Sequence, residues 1–282
     1  MDHYDILIIG GGAAGIAAAK ACSGAKVLLA DRKKSLGGVL LQCAHRGFGK
    51  NKTGMEYAAD LLQDFPENIT LALNTTVISV SEHKTALLSG REFGCREVGF
   101  SQLILAAGCR EIPAGALNMG GTRPKGVYTA GQMQEMMNLH GVLPEGPAVI
   151  LGSGDLGLIM AKQMAEAGVR VTMVEQKERC GGMVKNQHCL ENPFIRLICS
   201  DTISEIQGSP HITGCTTQSG VYLPCRTLLI AAGLRPEREL VAHLGNPDWL
   251  HICGNCNRVH PMVEAVVQEG KQAGKTAYEH TR

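Results

Sequence analysis

Aromatic residues are scarce in this chain: one tryptophan, five tyrosines and five phenylalanines make up 4% of its 282 residues. So thin a supply offers no cluster of the tryptophan and tyrosine anchors that concentrate binding energy at interfaces. Excess charge is missing too. Lysine and arginine total 27 against 26 acids, a formal net charge of +1 without a basic block, which argues against a nucleic acid or an anionic membrane as partner. No stretch approaches the roughly 18 uninterrupted apolar residues of a membrane span, and the chain begins almost directly with an apolar strand, without a signal-peptide pattern. The expectation is a cytoplasmic protein with no membrane span. Low-complexity tracts are absent. Eleven cysteines are an odd number and lack framework spacing, which suits reduced thiols filling the core rather than structural disulfides. The length leaves room for two domains of about 100 to 150 residues and excludes a large third one.

Glycine, by contrast, is plentiful and patterned. A Gly-x-Gly-x-x-Gly fingerprint occurs twice, at Gly10, Gly12 and Gly15 and at Gly152, Gly154 and Gly157. Each copy follows an apolar run, Ile6 to Ile9 or Ala148 to Leu151, and precedes a helical pattern, the context that the motif requires. Glycines there let a backbone turn approach a pyrophosphate while N–H groups at the helix N-terminus face the anion. The residues interleaved with the glycines, Ala13 and Ala14 in the first copy and Ser153, Asp155 and Leu156 in the second, then belong to the same cradles. Asp155 reads as a helix-start acid rather than a catalytic one.

The duplication continues downstream. Val27 to Asp31 and Val169 to Glu175 are apolar strands ending in an acid, where a carboxylate accepts the hydroxyls of an adenosine ribose. Asp31, followed by Arg32, precedes Gly37-Gly38, and Glu175 precedes Gly181-Gly182 at the same spacing. Leu103 to Gly108, ending in Ala107-Gly108, and Leu228 to Gly233 are apolar strands suited to run beneath a bound nucleotide. Two homologous nucleotide-binding domains in one chain follow from these echoes.

The first domain is expected to run to Ile112-Pro113 and the second to occupy residues 114–235, with the Gly- and Pro-rich segment Ala114 to Lys125 as a crossover and a helix over Thr129 to Leu139. Leu250 to Asn255 reads as a short strand and Met262 to Tyr278 as a closing helix, so residues 236–282 rejoin 1–113 in a discontinuous domain. Alternating apolar residues around Val77 and Leu88, within Asn74 to Val98, read as a small antiparallel element.

These motifs resemble the pyridine nucleotide-disulfide oxidoreductase superfamily, flavoproteins with two dinucleotide-binding domains. The resemblance implies an α/β fold of two Rossmann-like domains, the second inserted in the first, in a thioredoxin-reductase-like architecture without a C-terminal dimerisation domain. It also implies FAD on the first fingerprint, NAD(P)H on the second, and a Gly-Asp motif near the C-terminus contacting FAD; here that motif is Gly254-Asn255. By the same resemblance Val39, Gln42, Val77, His260 and Met262 join the FAD contacts and Gly233 the NAD contacts. More narrowly, Leu36 to Gly49, Gly152 to Met160 and Cys253 to His260 are similar to small NAD(P)/FAD-dependent oxidoreductases found with a larger flavoprotein like anaerobic glycerol-3-phosphate dehydrogenase. The chain is shorter than that pattern, mainly between Cys189 and His251.

Several readings stay open at this level. Glu175 favours NADH because a carboxylate repels the 2′-phosphate of NADPH; Lys177 and Arg179 could instead meet that phosphate. Cys43 with His45 is either a thiol activated by an imidazolium or part of the flavin pocket wall. Cys253-x-x-Cys256 overlaps Gly254-Asn255 and has too few further ligands for zinc. His260 precedes a helix whose N-terminal dipole would stabilise negative charge on a reduced flavin, and is otherwise an ordinary turn residue. The cysteine pair that thioredoxin reductases carry before the second fingerprint is absent from Thr129 to Pro147, and the glutathione reductase branch would need a second cysteine beside Cys43. Three functions compete: hydride transfer between NAD(H) and FAD in a subunit serving a partner flavoprotein, a free-standing NADH-dependent reductase of a disulfide, peroxide or dioxygen using Cys43, and a catalytically silent FAD-binding subunit.

Overall fold

In the computed structural model, which describes residues 1–282, the first apolar run forms strand β1 (Asp2–Ile9), followed by α1 (Ala13–Ala21), β2 (Val27–Ala30), α2 (Gly54–Leu62), β3 (Thr70–Ala72), β4 (Thr75–Val80), β5 (Thr85–Gly90) and β6 (Gly94–Leu105). The sheet order is β3-β2-β1-β6-β5-β4. The first three pairings are parallel, whereas β5 pairs antiparallel with both β6 and β4. Alternation along β1 places Ile6 and Ile8 in one apolar cluster with α1 and Leu7 and Ile9 in another with Val80, Leu88 and Phe100. Burial on both faces explains why the run reads as continuous rather than alternating.

After Arg110 the chain leaves this unit, and residues Glu111–Leu234 form a second one. Glu111, Ile112 and Pro113 therefore lie in the second unit rather than the first. The cause is local: the Ile112 N–H donates to Gly233 O at 3.1 Å and the Glu111 carboxylate accepts the Gly131 N–H at 2.8 Å. The segment expected as a crossover is also built into this unit, with Gly120–Gly121 pairing with the strand Ile203–Gly208.

The second unit contains β7 (Val127–Thr129), α3 (Ala130–His140), β8 (Ala148–Leu151), α4 (Asp155–Glu166), β9 (Val171–Val174), β10 (Ile195–Ile198), β11 (Ile203–Gly208), β12 (Ile212–Thr217), β13 (Tyr222–Pro224) and β14 (Thr227–Ile230). Its five-stranded sheet, β7-β14-β8-β9-β10, is wholly parallel. Helix α3 starts where Thr129 and Gln132 close a capping box, a reciprocal arrangement that satisfies two N–H groups at the helix start. Ile150 packs beneath α3 and α4 with Met133, Met160 and Met164, while Val149 and Leu151 face Ile203, Ile206 and Ile212 of the antiparallel strands.

From Arg235 the chain rejoins the first unit, adding β15 (Leu250–Ile252), parallel to β6, and the closing helix α5 (Val263–Glu279). Helix α5 crosses α1 so closely that a Cβ on Gly270 or Gly274 would lie 2.2 Å from Ala14 O or 2.3 Å from Ala18 O. Both units thus carry a β1-type strand between its successor and a last strand, and the fifth parallel strand comes from outside the βαβ run in each case. Each unit is thus an α/β layer of helices on a largely parallel sheet.

Candidate dinucleotide-binding sites

The two fingerprints fold alike. Gly10 has φ +104° and Gly152 φ +102°, a region closed to side chains, and a Cβ on either would stand 2.4 Å from the carbonyl oxygen of Ala106 or Ala231, the residue just past the end of the last strand. Gly15 and Gly157 face back onto the first glycine, where a Cβ would come within 1.8 Å of Gly10 O or 2.4 Å of Gly152 O. The middle glycines differ from these. A Cβ on Gly12 meets only Gly38 Cα at 4.0 Å, and one on Gly154 meets nothing within 4 Å. Both cap their helices in extended conformation, without a side-chain cap. Space is therefore left open where unpaired N–H groups of a helix start would face a phosphate.

The strand-end acids are tied to these turns in the same way. Asp31 Oδ2 accepts the Gly11 N–H at 2.6 Å and Oδ1 the Lys33 N–H at 2.7 Å. Glu175 Oε2 accepts the Ser153 N–H at 2.8 Å and Oε1 the Lys177 N–H at 3.0 Å. Glu175 takes one further bond, from Ser153 Oγ at 2.6 Å, and that hydroxyl in turn accepts the Gly181 N–H at 2.9 Å. Burial pushes the Glu175 carboxyl up, but hydrogen bonds from Ser153 and Lys177 overcome it and hold the group below the usual carboxylate range. It is an anion at neutral pH.

Other expected residues fall around these turns. Gly37 (φ +119°) and Gly38 (φ +56°) bring a short turn against the first fingerprint, with the Gly37 N–H donating to Gly11 O at 2.8 Å. Val39 and Gln42 lie on that turn, Val39 63% exposed. Ala107 is exposed beside Gly108 (φ +79°), and Arg32 is exposed beyond Asp31. Ala13 opens α1, whereas the Ala14 side chain is buried beneath Gly254. Val77 is half-buried in β4 against the second apolar cluster. In the second unit, Leu156 packs inward from α4, and Gly233 has φ +130°. Asp155 Oδ1 accepts the Met183 N–H at 2.8 Å and Asn186 Nδ2 at 2.6 Å, fastening the Gly181-Gly182 segment to the start of α4.

At the C-terminal motif, Asn255 Oδ1 accepts the His260 N–H at 3.0 Å, and Met262 caps α5. The side chain of His260 is only 6% exposed. Its Nε2 stands 2.9 Å from Glu269 Oε1 without the alignment of a hydrogen bond. Cys253 and Cys256 are buried, and Cys256 donates to Leu105 O and Cys253 O at 3.0 and 3.1 Å; no cluster of three or more metal-ligating side chains occurs. The Cys43 thiol, also buried, donates to Val39 O at 3.3 Å, and burial pushes it up to about 12, the opposite of activation. The His45 ring lies 5.1 Å from that of Phe48. Cys43→Ser is expected to leave NADH-dependent flavin reduction within about twofold of wild type, as stopped-flow absorbance checks, because a thiol so rarely ionised contributes little as a nucleophile.

A cavity of about 900 Å³, bounded by Lys84, Gln102, Trp249 and His280, is lined by no fingerprint residue. Dinucleotides lie along the open carboxyl edge of a parallel sheet, the edge at which both cradles stand.

Comparison with known proteins agrees with this geometry. The family model of pyridine nucleotide-disulphide oxidoreductases matches residues 4–247. The chain belongs to that family. The open cradle of each unit has room for the diphosphate of a dinucleotide such as FAD or NAD(P)H. An opine oxidase subunit of Agrobacterium tumefaciens (strain Ach5) is 34% identical over 60% of this chain and 36% of its own length. Hydrogen cyanide synthase subunit HcnB of Pseudomonas protegens is 34% identical over 66% of this chain and 41% of its own. Both relatives are, by name, subunits of multi-component enzymes, and the chain matches well under half of either. Among solved structures, Lactococcus lactis thioredoxin reductase in its FR conformation aligns over 99% of both chains with a TM-score of 0.80 at 20% identity, which shows the fold. No helix is long and apolar enough to cross a membrane.

Proposed function

We propose that this chain is an electron-transfer subunit that binds FAD on its first unit and NAD(H), in preference to NADP(H), on its second, and exchanges electrons with a partner flavoprotein dehydrogenase. The observation that carries the reading is the doubled cradle: each unit has a middle glycine left open above a helix start and a strand-end carboxylate fixed to the same turn. When bound, the flavin and nicotinamide rings supply the hydride chemistry themselves. The protein's part is to bind and orient. Gly12 and Gly154 leave backbone N–H groups free for the phosphates, and Asp31 and Glu175 fix the adenosine ends. Asp31 keeps its oxygens turned to backbone donors at Gly11 and Lys33, and accepting lone pairs remain for ribose hydroxyls.

Glu175, ionised and locked by Ser153, supports the choice of NADH, since two negative groups in one pocket repel. The relatives that belong to larger enzymes support a protein partner, and the similarity to proteins found beside a glycerol-3-phosphate-dehydrogenase-like flavoprotein supports a hydroxy acid or glycerol 3-phosphate as that partner's substrate. Anaerobic addition of NADH is expected to bleach the flavin band near about 450 nm, with NADPH at least about tenfold weaker. A bound flavin that neither nucleotide bleaches would sink the proposal.

A further inference from the structure

We propose that Glu269 and Arg238 form a charged clamp that fixes the turn Gly254 to Asn257 against the first fingerprint, making both positioning residues for FAD. The inference rests on the FAD reading of the first unit. Glu269 stands on α5 with its side chain 24% exposed. Its Oε2 accepts the Gly254 N–H at 2.9 Å and Asn257 Nδ2 at 3.4 Å. Its Oε1 lies 2.9 Å from His260 Nε2 and 3.6 Å from Arg258 Nε. From the other side, Arg238 Nε donates to Cys256 O and Nη2 to Asn257 O, with Nη2 also 3.0 Å from Asn257 Oδ1. An acid takes the donors of this turn and a base takes its acceptors.

The turn sits where a small shift matters. Gly254 has φ +68°, and a Cβ there would lie 2.8 Å from Ala14 Cβ and 3.2 Å from Val266 Cγ1. It is wedged between the first turn of α1, whose N–H groups would face the FAD phosphates, and α5. The side chain of Asn255 is spent locally on the His260 N–H. The carboxylate at this turn is therefore the one from Glu269, and it faces the nitrogens of Arg258 and His260. Charge-assisted bonds of this kind are the stronger class, so losing one releases the turn.

The test measures FAD affinity by titrating apoprotein with FAD and following flavin fluorescence, alongside the melting temperature of the apoprotein and NADH binding. Glu269→Ala is expected to weaken FAD binding about tenfold to a hundredfold, and Glu269→Gln and Arg238→Met about tenfold each. NADH binding stays unchanged in all three, and Glu279→Gln, an exposed acid farther along α5, changes nothing. Variants that melt earlier yet bind FAD like wild type would overturn the clamp, because a purely structural role predicts that result. Glu269→Gln and Arg238→Met keep the test open if Glu269→Ala does not fold. Wild-type apoprotein that takes up no FAD would overturn the reading on which the clamp rests, a result distinct from variants that fail against a working wild type.

Discussion

A Gly154→Val protein is expected to keep its FAD and lose its reduction by NADH. The substitution is mild for the protein itself: Gly154 has φ −65° and ψ 173°, open to any residue, and its Cβ would meet nothing within 4 Å. The empty turn therefore has room for the valine Cβ. What it obstructs is the approach of a pyrophosphate to the first N–H groups of α4. Rapid-mixing measurements are expected to show kcat/KM for NADH down at least about a hundredfold, roughly 2.7 kcal/mol of transition-state stabilisation. FAD content and reduction by dithionite stay at wild-type levels, because the first unit has its own sheet and core. Gly157→Ala supplies the contrast. Its Cβ would stand 2.4 Å from Gly152 O, so it damages the turn whether or not nucleotide is present. A Gly154→Val protein that NADH reduces at the wild-type rate would remove the second unit from the mechanism.

The parts of the site that are local in sequence are legible in it. The fingerprint glycines, the apolar strands and the strand-end acids sit within single βαβ units, and their periodicity and spacing translate directly into β1, α1, β2 and β8, α4, β9. The antiparallel element around Val77 and Leu88 is legible for the same reason, since strands of period 2 announce themselves. Glu269 and Arg238 are not. A polar residue on the face of an amphipathic helix looks like any solvated side chain, and only the fold brings Glu269 back onto Gly254. Ser153 declares itself by its place in the fingerprint, but the bond from its hydroxyl to Glu175 depends on a turn whose geometry no spacing encodes. Cys43 shows the converse. Its neighbours in sequence suggest activation, whereas desolvation, a property of packing, decides its ionisation. The boundary falls at Arg110, ahead of Ile112-Pro113, because pairing by Glu111 and Ile112 draws those residues into the second unit.

Gly12→Val applies the same logic to the first unit, with a larger visible effect. Gly12 has φ −78° and ψ −167°, and its Cβ would touch only Gly38 Cα at 4.0 Å, so the apoprotein is expected to fold. The purified variant is expected to be nearly colourless, with an FAD content about a tenth of wild type or less, because the valine side chain occupies the approach to the N-terminal N–H groups of α1. Mass action gives a second readout. A ligand at 100 times its dissociation constant adds about 2.7 kcal/mol to the folded state, which for a unit of this size raises the melting temperature by roughly 5 to 10 °C. Added FAD is expected to produce that rise in wild-type apoprotein and none in Gly12→Val, while the two apoproteins melt within about 2 °C of one another. NADH still binds the variant's second unit, but no flavin is there to accept its electrons, so dye reduction stops. If Gly12→Val retained FAD and its colour, the first fingerprint would not be the flavin site, and the order of cofactors along the chain would have to be reversed.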